Sequence, residues 1–389
     1  MRADEFEKIN TQAFKELMTN ELRQLDKLLT KNGHEVRIVG GAVRDLALHK
    51  KPKDIDLSTD ATPEEMQDIF DKAEIRYKPT GIEHGTLTVL LDQPYEITTL
   101  RADTETDGRH AKIDFVKDWK EDAQRRDLTY NAMSLDFDGK LYDYFGGLDD
   151  LQNKVSVFVG DPEERIKEDY LRILRYFRFQ SKLNDPKWNN ETLDAIKKNA
   201  DGLRRISVER VWAEVQKTLL GRNASEALKF MGGTGVAQQI GLPVKNAEAI
   251  TKLERPKSAI LPLAVLVDSP ELAQTWKMSR PEGALLKFLT KHKHNTLDSD
   301  SAEDMLAQGT PKEYVLALLS VQQQPALVDI IRSYKQPEFP VTGKDLLAKG
   351  LKPGPEIGKV LNSLKDKWTK SRFKLSKDEL LHHLAKNKE

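Results

Sequence analysis

Two aspartates, Asp54 and Asp56, flank a single isoleucine in the run KPKDIDLSTD. The run reads as a β-strand, where alternate side chains share a face, so the spacing predicts that both carboxylates point one way and Ile55 points into the core. Side by side the two charges repel unless something positive sits between them. A D-x-D of this kind is most often a solvated strand face, and its surroundings must decide. Upstream lies IVGGAVRD, residues 38–45: an apolar strand end, then Gly40 and Gly41, then a helix-like run containing Arg44. Glycines at a strand-to-helix turn let backbone N–H groups approach phosphate oxygens, and the helix N-terminus adds a favourable dipole. A phosphate cradle beside paired carboxylates suits Mg²⁺, which takes carboxylate and triphosphate oxygens together, and the chemistry of such a pair is phosphoryl or nucleotidyl transfer. Glu96, in YEITTLR on a later alternating strand, is a candidate third carboxylate on the same face.

Two further clusters fit that chemistry. In EDAQRRDLTYNAMS, the group Arg125, Arg126, Asp127 and Asn131 reads either as a surface charge run or as triphosphate and ribose contacts. An arginine fork suits triphosphate oxygens and an asparagine suits ribose hydroxyls. In KEDYLRILRYFRFQ, Asp169, Arg172, Arg175 and Arg178 recur every third residue. On one helix each would lie about 60° behind the last, giving a slanted stripe beside the packing residues Leu171, Leu174 and Phe177. A solvated basic face is the plain explanation. The single acid at the head of the stripe suggests another: an aspartate beside an arginine offers an acceptor and a donor to a base edge. Cytosine and adenine each set an exocyclic amine next to an unprotonated ring nitrogen, which matches. Uracil and guanine invert both hydrogen bonds, and polar groups left unpaired cost roughly 1–3 kcal/mol each. Such a site accepts CTP and ATP and rejects UTP and GTP.

The elements that must hold these groups fall into two halves. Residues 1–150 mix helix and strand signals: an amphipathic stretch Thr11–Lys31 with Phe14, Leu17, Leu25 and Leu28 at helical spacing, then β-rich runs EVRIVG, DIDLST, HGTLTVLL, YEITTL and KIDFV. AMSLDFDGKLYDYFGG reads as a hairpin with Asp138-Gly139 as a two-residue turn. After Leu151 the period is helical, with proline and glycine breaks that suggest subdomains at 151–220, 221–335 and 336–389. The clusters KHKH, residues 291–294, and His382-His383 read as solvated surface.

Sixty-two basic residues balance sixty-two acidic ones, so net charge neither announces nor excludes a nucleic-acid partner. No cysteine is present, which removes thiol catalysis, disulfides and thiolate metal sites. The mean hydropathy of −0.60 and the lack of a long apolar run argue against a membrane partner, and the start MRADEFEKIN is unlike a signal peptide. Charge does concentrate at the tail. From Pro340 to Glu389 there are twelve Lys/Arg against six Asp/Glu, a net +6. A solvated helical end would explain it; so would an RNA phosphate met near Lys359, where GLKPGPEIGK sets a turn before a helix start.

GGAVRD, DIDLSTDATPEE, RRDLTYNAM, DYFGGLDDL, EDYLRILRYFRF and ISVERVWAE together resemble the class II CCA-adding enzymes, the tRNA nucleotidyltransferases, and the run EITTLRADTETDGRHAKIDFVKDWKEDAQRRD resembles the animal, mitochondrial-type members. The resemblance covers nearly the whole chain. It implies an α+β protein with a polymerase β-like head and a small mixed sheet, followed by all-α neck, body and tail. It also implies Mg²⁺-dependent addition of C, C and A to tRNA 3′ ends from CTP and ATP without a nucleic-acid template. By motif position Asp54 and Asp56 are the metal ligands; Gly40, Gly41, Arg44 and Arg126 meet the triphosphate or ribose, with Asp127 and Asn131 in the same motif. Asp169 and Arg172 are the base-reading pair, Glu168 orients that arginine, and Arg175 and Arg178 support the nucleotide. DLTYNAM departs from many relatives in having Tyr130 where they have isoleucine. The expected state is monomer or homodimer in the mitochondrion, the cytoplasm or both. Bacterial-type poly(A) polymerases share most of the head motifs, and a non-enzymatic RNA-binding protein is the alternative of another class.

Overall fold

The computed structural model describes residues 8–106, 111–254, 256–335 and 337–385; the first seven residues, His383's side chain and the last four residues of the basic tail lie outside them. The chain divides into two compact units, residues 1–244 and 245–389. Among the described residues the first holds every strand: β1 Val36–Val39, β2 Asp56–Thr59, β3 Tyr77–Gly81, β4 Thr86–Leu90, β5 Pro94–Thr99, β6 Arg101–Thr106, β7 Ala111–Phe115, β8 Ser134–Leu135 and β9 Leu141–Tyr142. Seven form one mixed sheet in the order β3-β4-β5-β2-β1-β8-β9, and β6 with β7 makes a separate antiparallel ribbon. Only β2 and β5 run parallel. Their register sets Asp56 directly beside Glu96, and side chains opposite one another across a ladder share a face, so Glu96 stands where the alternation placed it.

β1 lies inside the sheet between β2 and β8 and is buried along its length, Arg37 included. Arg37 tolerates that because its guanidinium forks onto Glu35 at 2.8 and 2.9 Å and lies between the rings of Trp119 (4.0 Å) and Tyr142 (3.5 Å).

Several local expectations are corrected. Thr11–Lys31 is not one helix: Thr19 caps a second helix, its hydroxyl accepting from Leu22 N–H, so Gln12–Leu17 and Asn20–Lys31 are separate and Leu28 is only half-buried. The hairpin loop is longer than two residues. Asp136 N–H still pairs with the Lys140 carbonyl, and its carboxylate accepts from Asp138 and Lys140 N–H, leaving Phe137–Gly139 as a three-residue loop with Gly139 at φ +85°. β2 begins only at Asp56, so Asp54 sits in the bend before the strand and Ile55 is half-buried instead of seated in the core. β3 escaped the alternation rule because YKPTG is polar, carries a proline and lies at the sheet edge.

Beyond the sheet the first unit is helical. Leu171–Lys182 buries Leu171, Ile173, Leu174, Tyr176, Phe177 and Phe179 and packs on Val208–Leu219 and Ala224–Gly233. Trp188 stacks on Phe230 at 4.0 Å to close that core. Tyr130 is fully buried, and its hydroxyl lies 2.6 Å from Ser156 Oγ, which donates to Gln180 Oε1 on the same helix at 2.9 Å. The sheet-bearing segment and the arginine-bearing helix are thus joined by a satisfied polar chain.

The second unit is all-helical. KHKH is not wholly solvated, because Lys293 is nearly buried and donates to the carbonyls of Ala264 and Val267. The tail has its own small core of Val341, Leu346, Leu364, Trp368, Leu380 and Leu381. Two of its basic residues are paired, Arg372 with Asp300 and Asp304 and Lys377 with Asp345, while Lys359 is exposed on the helix Pro355–Lys370, which begins four residues before it. Among the described residues no helix is long and apolar enough to cross a membrane.

Gly147 opens a helix pressed on the turn that carries Asn131: a Cβ there would stand 2.3 Å from the Thr129 carbonyl oxygen and 2.6 Å from Tyr130 N. Backbone on both sides leaves little room to yield. Gly147→Ala is expected to cost about 1–3 kcal/mol and lower the melting temperature by roughly 3–8 °C; an unchanged thermal transition by circular dichroism would show that the two segments separate freely.

Candidate active site

Gly40 ends β1 with φ +65° and ψ −124°, a conformation that strongly favours glycine, and turns the chain into the helix Gly41–Ala47. A Cβ at Gly40 would lie 3.3 Å from Arg126 Nη1, so the bare backbone also makes room for that guanidinium. This turn, the Arg125–Asp127 segment and the helix Leu171–Lys182 enclose a cavity of about 610 Å³. Eight arginines line it: Arg44, Arg101, Arg125, Arg126, Arg172, Arg175, Arg178 and Arg210. Three carboxylates do so, those of Asp56, Asp127 and Asp169. Lining charge is therefore strongly positive, the complement of a polyphosphate.

Most of these guanidiniums are anchored by neighbouring acids or amides. Asp122, buried, accepts from Arg125 Nη2 at 2.7 Å and from Arg126 Nη2 at 3.1 Å. Burial alone would push its carboxyl up, but the two arginines beside it hold it below the ordinary range. Asp127 is also buried and also held low against the effect of burial: Arg175 Nε donates to one oxygen at 2.6 Å, while Asn131 Nδ2 (3.0 Å) and Leu128 N–H (2.8 Å) donate to the other. Asn131 completes a relay, its Oδ1 accepting from Arg44 Nη1 at 2.9 Å. Arg178 Nη1 donates to both oxygens of buried Glu214, at 3.1 and 3.0 Å.

The proposed stripe is realised in part. Arg172, Arg175 and Arg178 share the helix, but Asp169 precedes it in extended conformation, with φ −150°, between that helix and Pro162–Glu168. One Asp169 oxygen accepts from Leu171 N–H at 3.0 Å and the other from Arg210 Nη2 at 2.8 Å. Its partner is therefore Arg210, from the helix Val208–Leu219, and not Arg172. Glu168 does bind Arg172, and also Arg165. Arg172 and Arg165 further donate to the main-chain carbonyl of Arg125, at 3.0 and 2.6 Å, which locks the helix to the arginine segment of the head.

Asp56 lines the cavity, and its carboxyl is raised by withdrawal from water and by Glu96 and Asp54, against the opposing pull of Arg126. Asp54, Asp56 and Glu96 all keep exposed surface, Asp56 with the part of its side chain that faces the cavity drawn in. Among the described residues no three His, Asp or Glu side chains converge as a ready-made metal cage. The donors are nonetheless carboxylates alone, close enough for Glu96 and Asp54 to help raise Asp56, which suits a hard divalent cation completed by substrate oxygens.

Sequence reasoning missed Asp122, Arg101, Arg165, Arg210 and Glu214. The i, i+3 and i, i+4 spacing of Asp122 to Arg125 and Arg126 was a readable signal, and Arg210 lies within ISVERVWAE. Glu214 ends that same run, Arg165 stands three residues before Glu168, and Arg101 is placed by contacts across the fold.

Residues 36–156 match the family described as Poly A polymerase head domain, and residues 188–244 the one described as Probable RNA and SrmB- binding site of polymerase A. The chain is similar to the CCA tRNA nucleotidyltransferase 1, mitochondrial, of Danio rerio, with 42% identity over 97% of this chain and 94% of that one. Its identity to the protein of the same name from Homo sapiens is 40%, over 97% and 93%. Among solved structures it is similar to the Bacillus stearothermophilus CCA-adding enzyme in complex with CTP, with 25% identity and a TM-score of 0.77 over 97% of this chain and 99% of that one.

Replacing Asp122 with Asn removes the charge that holds Arg125 and Arg126 while keeping the volume. The loss is expected at about 3 kcal/mol near neutral pH, read from urea midpoints, because one side of a buried pair is left uncompensated. A carboxyl held low contributes fully above its ordinary value of 3.8 and loses its contribution as the pH falls below it. The gap between wild type and variant should therefore stay level through the neutral range and close only under strong acid; a gap already closing around pH 6 would contradict this placement.

Proposed function

The chain belongs to the CCA-adding enzymes, the tRNA nucleotidyltransferases, and we propose that its arginine-lined cavity is where CTP and ATP are joined in turn to the 3′ end of tRNA. The protein is a nucleotidyltransferase that adds C, C and A; the assignment of individual residues is our reading. One observation carries that reading: a single cavity presents eight arginines, the bare Gly40–Gly41 turn, the strand carboxylate Asp56 and, beside the helix start, Asp169 with Arg172. Phosphate, reacting atoms and base edge each find a chemically matched wall.

The 3′-oxygen of tRNA bonds to the α-phosphorus as the bond from that phosphorus to the β-phosphate bridging oxygen breaks, and pyrophosphate leaves. Gly40, Gly41, Arg44 and Arg126 receive the triphosphate, with the guanidinium forks already aimed by Asn131 and Asp122. Asp54 and Asp56, with Glu96 alongside, would hold a divalent cation, magnesium on the strength of an all-carboxylate donor set; when bound it favours ionisation of the attacking hydroxyl and offsets charge on the leaving pyrophosphate. Asp127 and Asn131 act by positioning, since their buried polar atoms are engaged with Arg175, Arg44 and each other.

Asp169 offers an acceptor and Arg172 a donor to the Watson–Crick edge, and Arg210 and Glu168 fix the two groups. Arg175 and Arg178 support the nucleotide between base and phosphates. On the second unit, exposed Lys359 and its basic neighbours suit phosphates of the tRNA body, where contacts position without reading sequence. The zebrafish and human relatives are named mitochondrial, which supports the mitochondrion as the place of work for this chain.

The test supplies tRNA lacking its 3′ CCA, magnesium, and each nucleoside triphosphate singly and combined. Wild type should yield products three nucleotides longer, ending CCA, only with CTP and ATP together; a long tail from ATP alone would instead identify a poly(A) polymerase. Asp56→Asn should fold and bind tRNA but lose roughly 10³-fold or more in addition rate. Asp169→Ala should admit UTP and GTP, and unchanged selectivity at unchanged rate would remove the base-reading role.

A further inference from the structure

The arginine face of the helix Leu171–Lys182 does not stop at Arg178. Lys182 lies four residues beyond Arg178 and seven beyond Arg175, on the same side of the helix. Four cations gather on one ring: Arg178, Arg44, Arg175 and Lys182 approach Phe179 at 4.7, 5.3, 5.6 and 6.0 Å from its centroid. Phe179 lines the cavity and Arg44 comes from the head, so Lys182, not itself in the lining, stands just behind Phe179 on the side where Arg44 approaches, away from Asp169, which precedes the helix at its other end.

Charge around it is not neutralised. Across from Lys182, the helix Val208–Leu219 brings Lys217 and Glu214, and Glu214 already serves Arg178 and Lys217. Among the described residues no carboxylate pairs with Lys182, and Arg178 Nε is buried without a hydrogen-bond partner. Lys182 keeps an exposed surface, but its ammonium is partly withdrawn from water. Burial first, then Arg178, Arg44 and Lys217, push it down to about 8, against the smaller pull of Glu214. A cation cluster held in this way is relieved by an anion.

We propose that Lys182 binds the terminal phosphate of the incoming nucleoside triphosphate and then retains the pyrophosphate once its bond to the α-phosphorus has broken. This rests on the cavity being the nucleotide site. Retention then weakens as the pH rises past about 8, the value to which burial and the neighbouring cations push the Lys182 ammonium.

The experiment measures equilibrium binding of CTP, CMP and pyrophosphate, with magnesium, to the full chain and to Lys182→Gln and Lys182→Arg. At pH 7 the glutamine variant should bind CTP and pyrophosphate about 10-fold more weakly and CMP equally, while arginine restores affinity. From pH 7 to pH 9 wild type should lose pyrophosphate affinity relative to the arginine variant, which stays charged and so corrects for ionisation of the ligand itself. Equal pyrophosphate affinity in wild type and the glutamine variant, or a wild-type to arginine ratio flat with pH, would overturn the proposal. CCA addition by wild type, run in parallel, keeps the failures apart. Normal addition with an indifferent Lys182→Gln overturns only the role of Lys182, whereas no addition by wild type overturns the nucleotide-site reading and this proposal with it.

Discussion

Eight guanidinium groups around one cavity repel one another, and the first unit is arranged to hold them there. Carboxylates in and behind the wall do this for six of them: Asp122 for Arg125 and Arg126, Asp127 for Arg175, Glu168 for Arg172, Asp169 for Arg210, and Glu214 for Arg178. Removing such charges from water is costly unless hydrogen bonds saturate them, which is why Asp127 accepts three. The carboxylates aim the arginines without cancelling them. What is left over is positive potential facing the cavity, available to a triphosphate at no cost of reorganisation.

The same contacts make one body of the two walls. Arg165 and Arg172 reach back to main-chain carbonyls of the arginine segment, Arg175 reaches Asp127, and Tyr130, Ser156 and Gln180 form a buried chain between the sheet side and the helix side. On the proposed reading side chains, not a template strand, select the base, and distance must be fixed by the protein. The contacts between the Gly40 turn and Asp169 leave few polar atoms free to swing and would serve that end. Tyr130, a departure that carried little weight in the sequence, takes part in them.

Much of this was legible from local pattern. The two-glycine turn, the alternation that set Glu96 beside Asp56, and the three-residue recurrence of arginines are short-range signals, and all three survive in the fold. What failed was the reach of each pattern. A strand period carried Asp54 onto β2 although the strand begins at Asp56, and a helix period carried Asp169 onto a helix that begins after it. The pairing of charges was illegible for another reason. Asp127 finds Arg175 across 48 positions, Asp169 finds Arg210 across 41 and Glu214 finds Arg178 across 36, distances at which periodicity says nothing. Only Asp122 and Glu168, each three and four residues from the two arginines it holds, were within reach of a local rule.

The central claim is that buried carboxylates act on substrate through the arginines they aim. A double-mutant cycle on Asp127 and Arg175, read as CTP affinity of the folded full chain, tests it most directly. Asp127→Asn and Arg175→Gln should each weaken CTP binding, and the double variant should be little worse than Arg175→Gln alone, a coupling of about 1–3 kcal/mol. Independent, additive losses would mean that Asp127 and Arg175 serve the nucleotide separately, and the account of aimed arginines would be wrong.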